Sequence, residues 1–136
     1  MTPVLVDTGF LVALFHSGDA LGRSATLYLK NHRHPLATVA ATIVETCFHL
    51  RPAHKADLLT WVARGGISLV DIPIAAYPKI ALTISKYADQ DIDFVDAALV
   101  WLANEIGARR ILTVDHVDFS VFRLKGGRHF EVIDWY

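Results

Sequence analysis

The chain has 136 residues, 53% of them hydrophobic and 20% charged, which suits one domain with a real core and excludes a disordered chain. Lys and Arg number 13 against 14 Asp and Glu, a balance that argues against holding nucleic acid by bulk positive charge but is compatible with a local basic rim. The single cysteine, Cys47, excludes an internal disulfide and a cysteine-built zinc site, and neither a signal peptide nor an apolar run of membrane-spanning length is legible, so a cytoplasmic protein without a membrane partner is expected.

Pro3-Val4-Leu5-Val6 is a short β-branched apolar run, predicted as a buried strand ending at Asp7-Thr8-Gly9. Residues 10–15 follow as a short buried helix and 21–30 as a longer amphipathic one, broken by the polar stretch Asn31-His32-Arg33-His34-Pro35. A second strand is predicted at 36–39, then a helix over 42–50 that Pro52 ends or bends, and another over 53–64 stopped by Gly65-Gly66. A strand at 67–72 leads to a helix over 74–87. The helix over 94–106 is the best marked, with Asp93 as N-cap and Gly107 as C-cap. Strands at 110–114 and 130–135 complete the chain. Strand alternating with helix throughout predicts a single α/β domain over 1–136, a three-layer α/β/α sandwich around a mostly parallel sheet.

Chemistry in such folds gathers at the carboxyl ends of strands and the helices that follow. Asp7 and Asp115 each follow a predicted strand, and Asp96 lies in the first turn of the helix after Asp93. Each also has an ordinary structural reading, as helix cap, first-turn acid or turn residue. Glu45 is different, because it interrupts an apolar helix and no Lys or Arg stands three or four residues away. His49 is its one local partner. A carboxylate in such a setting is costly to bury unless it is paired or binds a cation. Four acids without a cationic neighbour repel one another, and Mg²⁺ or Mn²⁺ held by their oxygens would supply the missing charge and suit phosphodiester hydrolysis.

The segments Leu5-Val6-Asp7-Thr8-Gly9-Phe10, Thr42-Ile43-Val44-Glu45-Thr46, Asp93-Phe94-Val95-Asp96-Ala97 and Leu112-Thr113-Val114-Asp115-His116-Val117-Asp118-Phe119 occur in this order along nearly the whole chain. Together they resemble the motifs of PIN domains, especially the VapC-like toxins. The resemblance implies a PIN-like α/β/α fold and a Mg²⁺- or Mn²⁺-dependent endoribonuclease, with Asp7, Glu45, Asp96 and Asp115 in the catalytic and metal-holding roles. Thr8 and Thr113 then orient carboxylates, and Asp93 and Asp118 are alternative acids, the first also an N-cap and the second a loop or rim residue. A homodimer and a cognate antitoxin are implied as well.

An RNA substrate needs cationic contacts, and Arg123, Lys125 and Arg128 in a glycine-containing basic segment are the candidates, although a solvated turn explains them equally. The seven histidines show no zinc-hydrolase spacing and read as surface or incidental. Trp61, Trp101 and Trp135 read as packing residues. Two other functions fit the acids: a PIN-type RNA-maturation or DNA nuclease outside a toxin–antitoxin system, and a non-catalytic receiver-like module. The receiver reading lacks paired acids after the first strand and a Lys after a late one.

Overall fold

The computed structural model describes residues 1–136. Five short strands, β1 (Val4–Val6), β2 (Leu36–Thr38), β3 (Ser68–Leu69), β4 (Arg110–Leu112) and β5 (Glu131–Val132), form one sheet in the order β3-β2-β1-β4-β5. Every pairing is parallel, so the predicted mostly parallel sheet is wholly parallel. The chain steps outward from β1 through β2 to β3, then crosses back to β4 and steps outward the other way to β5. The gap between β1 and β4 is therefore the point where the winding reverses, the place where open α/β sheets form their crevice.

Side-chain alternation along β1 divides the core in two. Val4 and Val6 face α1 (Thr8–Phe15), α2 (Gly22–Asn31), α3 (Ala40–Cys47) and α4 (Pro52–Ala63), packing with Phe10, Leu11, Ala25, Ile43 and Leu58. Leu5 faces the other layer, with Ile80 from α5 (Tyr77–Lys86), Leu99 and Leu102 from α6 (Phe94–Ile106) and Phe119 from α7 (His116–Val121). Two apolar layers on one sheet give the expected sandwich. Trp101 and Trp135 are buried and Trp61 half-buried, in keeping with packing roles.

Several boundaries differ from those predicted, each for a local reason. The first helix starts at Thr8, directly against β1, because Asp7 caps it. The helix predicted over 42–50 runs from Ala40 to Cys47, and Pro52 opens α4 at its first turn instead of only closing the helix before it. The strand predicted over 67–72 pairs at just two residues, since β3 is a sheet edge with one neighbour. The helix predicted from 74 begins as a 3₁₀ turn over Ile74–Ala76 and becomes α-helical at Tyr77. The strands predicted over 110–114 and 130–135 are likewise shorter. Helix α7 was unforeseen: six residues are too few to show a period, and Asp118 belongs to its first turn and not to a loop.

Candidate metal centre

Asp7, Asp96 and Asp115 stand at a strand end or a helix start, and Glu45 lies on α3, near enough for its charge to act on Asp7. Asp7 leaves the carboxyl end of β1 and caps α1, its Oδ1 accepting from the Thr8 amide at 2.8 Å. Asp115 stands three residues beyond β4 and caps α7, its Oδ1 accepting from the Asp118 amide at 3.1 Å. Asp96 and Asp93 form a reciprocal capping box at the start of α6: the Asp96 amide donates to Asp93 at 2.9 Å, and the Asp93 amide donates to Asp96 at 3.4 Å. The capping and site readings of these acids are thus compatible. An amide at a helix start engages one oxygen of the capping carboxylate.

Thr113 ties the two halves of the crevice together. Its hydroxyl donates to Asp7 Oδ2 at 2.7 Å and accepts from the Asp115 amide at 2.9 Å. The Thr113 carbonyl is held in turn by the buried Trp135 indole N–H at 3.0 Å and touched by His116 Nε2 at 3.1 Å. On the other side, the Thr38 hydroxyl donates to the Val6 carbonyl at 2.7 Å and shares a 2.8 Å hydrogen bond with the Thr42 hydroxyl. That chain fixes the start of α3 against the end of β1, and α3 carries Glu45. Thr38, Thr42, Trp135 and His116 were not among the residues singled out for the site. The four-residue spacing Thr38-Thr42-Thr46 was the visible signal for the first two.

Electrostatics join these groups. Burial pushes the Asp7 carboxyl up to about 6, with the Glu45 and Asp93 charges adding to the rise and the Thr113 and Thr8 hydrogen bonds opposing it. Desolvation raises Asp96 further, to about 8, helped by the charges of Asp93, Asp7 and Asp115. Asp118 is also raised, by desolvation and by the Asp115 carboxylate beside it. No cation offsets these charges: the one side-chain ion pair in the molecule is His54 with Asp57, in the first half of α4, and His49, past the end of α3, does not pair with Glu45. The Thr8 hydroxyl, next to Asp7, is buried without a hydrogen-bond partner.

A hard divalent cation fits this donor set of carboxylate and hydroxyl oxygens with no soft ligand. No three acidic or imidazole side chains close on one point at ligating distance.

The predicted basic contacts lie elsewhere. The segment 123–129 leads into the amino end of β5, opposite the acids. Arg123 donates to the carbonyls of Ser120, Val121 and Phe122, closing the end of α7. The Lys125 amide donates to Asn104, eight residues beyond Asp96 and so about 12 Å up α6. Arg128 is exposed on the same loop, whose carbonyl there accepts from the Leu124 amide. Arg123, Lys125 and Arg128, the possible RNA contacts, thus lie on the segment that enters the amino end of β5, although they follow Asp115 closely in sequence.

A family profile described as PIN domain matches residues 4–123, which include all four acids. The chain is a PIN domain. It is 28% identical over 134 residues to a protein named Ribonuclease VapC26 from Mycobacterium tuberculosis, covering 96% of this chain and 99% of that one. Among solved structures, it superimposes on the Mycobacterium tuberculosis toxin VapC20, described as Sarcin-Ricin loop cleaving, with a TM-score of 0.73 at 16% identity. That match covers 79% of this chain and 86% of VapC20. At that identity the likeness speaks for the fold. In this PIN domain the matched segment ends at Arg123, so β5 and Trp135, which steadies Thr113, lie beyond it.

Proposed function

We propose that this PIN domain is a divalent-metal-dependent endoribonuclease, and that it acts as the toxin of a toxin–antitoxin pair. The observation that carries the reading is the set of uncompensated carboxylates of Asp7, Glu45, Asp96 and Asp115 at the reversal point of the sheet. Mg²⁺ or Mn²⁺ held there supplies a Lewis acid and an activated water for hydrolysis at phosphorus. The chain's own part is to keep Asp7 oriented through Thr8 and Thr113 and to hold Asp96 and Asp115 on helix starts, where the amides steady one oxygen each. Asp93 and Asp118 cap or flank these two acids and serve as reserve ligands.

End-to-end similarity to a protein named as a ribonuclease supports RNA over DNA as substrate. The likeness to VapC proteins supports a cognate antitoxin, and we infer a homodimer acting in the cytoplasm from the family resemblance alone. No helix is long and apolar enough to cross a membrane. The test is cleavage of RNA by the purified protein with Mg²⁺ or Mn²⁺, with and without EDTA, beside the Asp7→Asn variant. Loss of cleavage in EDTA and in the folded variant is expected. Undiminished cleavage in either sinks the metal mechanism.

A further inference from the structure

On the β3 side of the acids the surface opens into a small apolar hollow of about 190 Å³. Its walls are Ala40 and Ala41 at the start of α3, Val70 and Ile72 after β3, and the rings of Tyr77 and Phe94. The two rings stand 6.0 Å apart between centroids, tilted by 39°, and they remain 48% and 37% exposed. Aromatic rings left this open at the mouth of a hollow have an unused stacking face.

The position of the hollow says what would use it. Phe94 follows Asp93 directly and lies two residues before Asp96; Ala41 lies one helical turn before Glu45, on the same side of α3. The hollow therefore borders the start of α6, which carries Asp93 and Asp96. Asp71 is its one charged wall residue, which repels a phosphate and leaves the apolar walls to a ring. We infer that this hollow is a subsite for one unstacked nucleobase of the substrate, next to the scissile phosphate, with Tyr77 and Phe94 as its stacking platform. Single-stranded RNA is commonly held this way, by bases splayed onto aromatic side chains. A base seated there positions the chain across the acids without relying on cations, none of which lines the hollow.

The inference rests on the ribonuclease reading, and one experiment separates the two. Random-sequence single-stranded RNA is cleaved with the full-length protein and Mn²⁺, and a short cleaved sequence is resynthesised with one abasic ribose at each position around the cut. At one position close to the cut, loss of the base is expected to raise KM roughly tenfold. In Tyr77→Ala, KM for the intact RNA rises by a similar factor and the abasic change costs nothing more, whereas Tyr77→Phe behaves as the parent protein. RNA that is never cleaved overturns both readings. Cleavage indifferent to every abasic position, or abasic sensitivity that persists in Tyr77→Ala, overturns the subsite alone. So does a Tyr77→Ala protein that changes only from dimer to monomer in sedimentation, since the hollow is then covered by a second copy.

Discussion

Thr113 joins three parts of the site: its hydroxyl donates to the Asp7 carboxylate and accepts from the Asp115 amide, and its carbonyl accepts from Trp135. Its hydroxyl is one of two bonds that restrain the rise in the Asp7 pKa. Replacing Thr113 by Val keeps the shape and removes the donor, so Asp7 should become harder to ionise. Mn²⁺ affinity measured by calorimetry is expected to fall about 10- to 100-fold, the usual cost of losing an outer partner of a ligand. Thr113→Ser restores the hydroxyl and should recover most of it. A Thr113→Val protein with parental affinity would show that Asp7 is oriented by Thr8 alone.

At the scale of elements, the site depends on how closely helices approach strand ends. Gly9 lies in the first turn of α1, and a Cβ there would collide with the side chain of Val114, the residue before Asp115. Gly9→Ala adds about 1 kcal/mol of helix propensity and costs about 1–3 kcal/mol in overpacking. Net stability should therefore fall by about 1 kcal/mol, read as a small drop in Tm, while cleavage falls much further because Asp115 is displaced. The capping box at the start of α6 invites the opposite comparison. Asp93→Asn can still cap, whereas Asp93→Ala removes the cap at a cost of about 1 kcal/mol. If Asp93 acts only as a cap, Asp93→Asn retains metal affinity. If it also ligates, both variants lose affinity together.

Across the whole molecule, the acids make stability depend on pH in an unusual direction. A buried carboxyl raised to about 6 is protonated in the folded state where the unfolded chain is already ionised. Its contribution is therefore present at low pH and is lost as pH rises from about 4 past 6, by roughly 3 kcal/mol for Asp7. Asp96 extends the same trend to higher pH. In EDTA, Tm should fall between pH 5 and pH 9, and Mn²⁺ should flatten the slope by stabilising the ionised carboxylates. A Tm in EDTA that rises over this interval would mean that the acids ionise without strain. Asp7→Asn should likewise raise Tm in EDTA at pH 8 and remove the benefit of the metal.

The alternation of strand and helix and the four acidic motifs are local properties, and the sequence by itself determined them: burial of β1 on both faces reads directly as Val-Leu-Val, and the uncompensated Glu45 as a carboxylate with no neighbouring cation. What only the tertiary structure decided is which distant groups meet. Asp7 and Thr113 are 106 residues apart along the chain and meet because β1 and β4 pair across the reversal of the sheet. Basic residues close to Asp115 in sequence are carried to the opposite end by six residues of helix, too short for any periodic signal. Aromatic rings from α5 and α6 form a hollow beside the acids for the same reason. Patterns of hydrophobicity report which face of an element is buried, whereas the identity of its neighbours is set by sheet order, which those patterns do not encode.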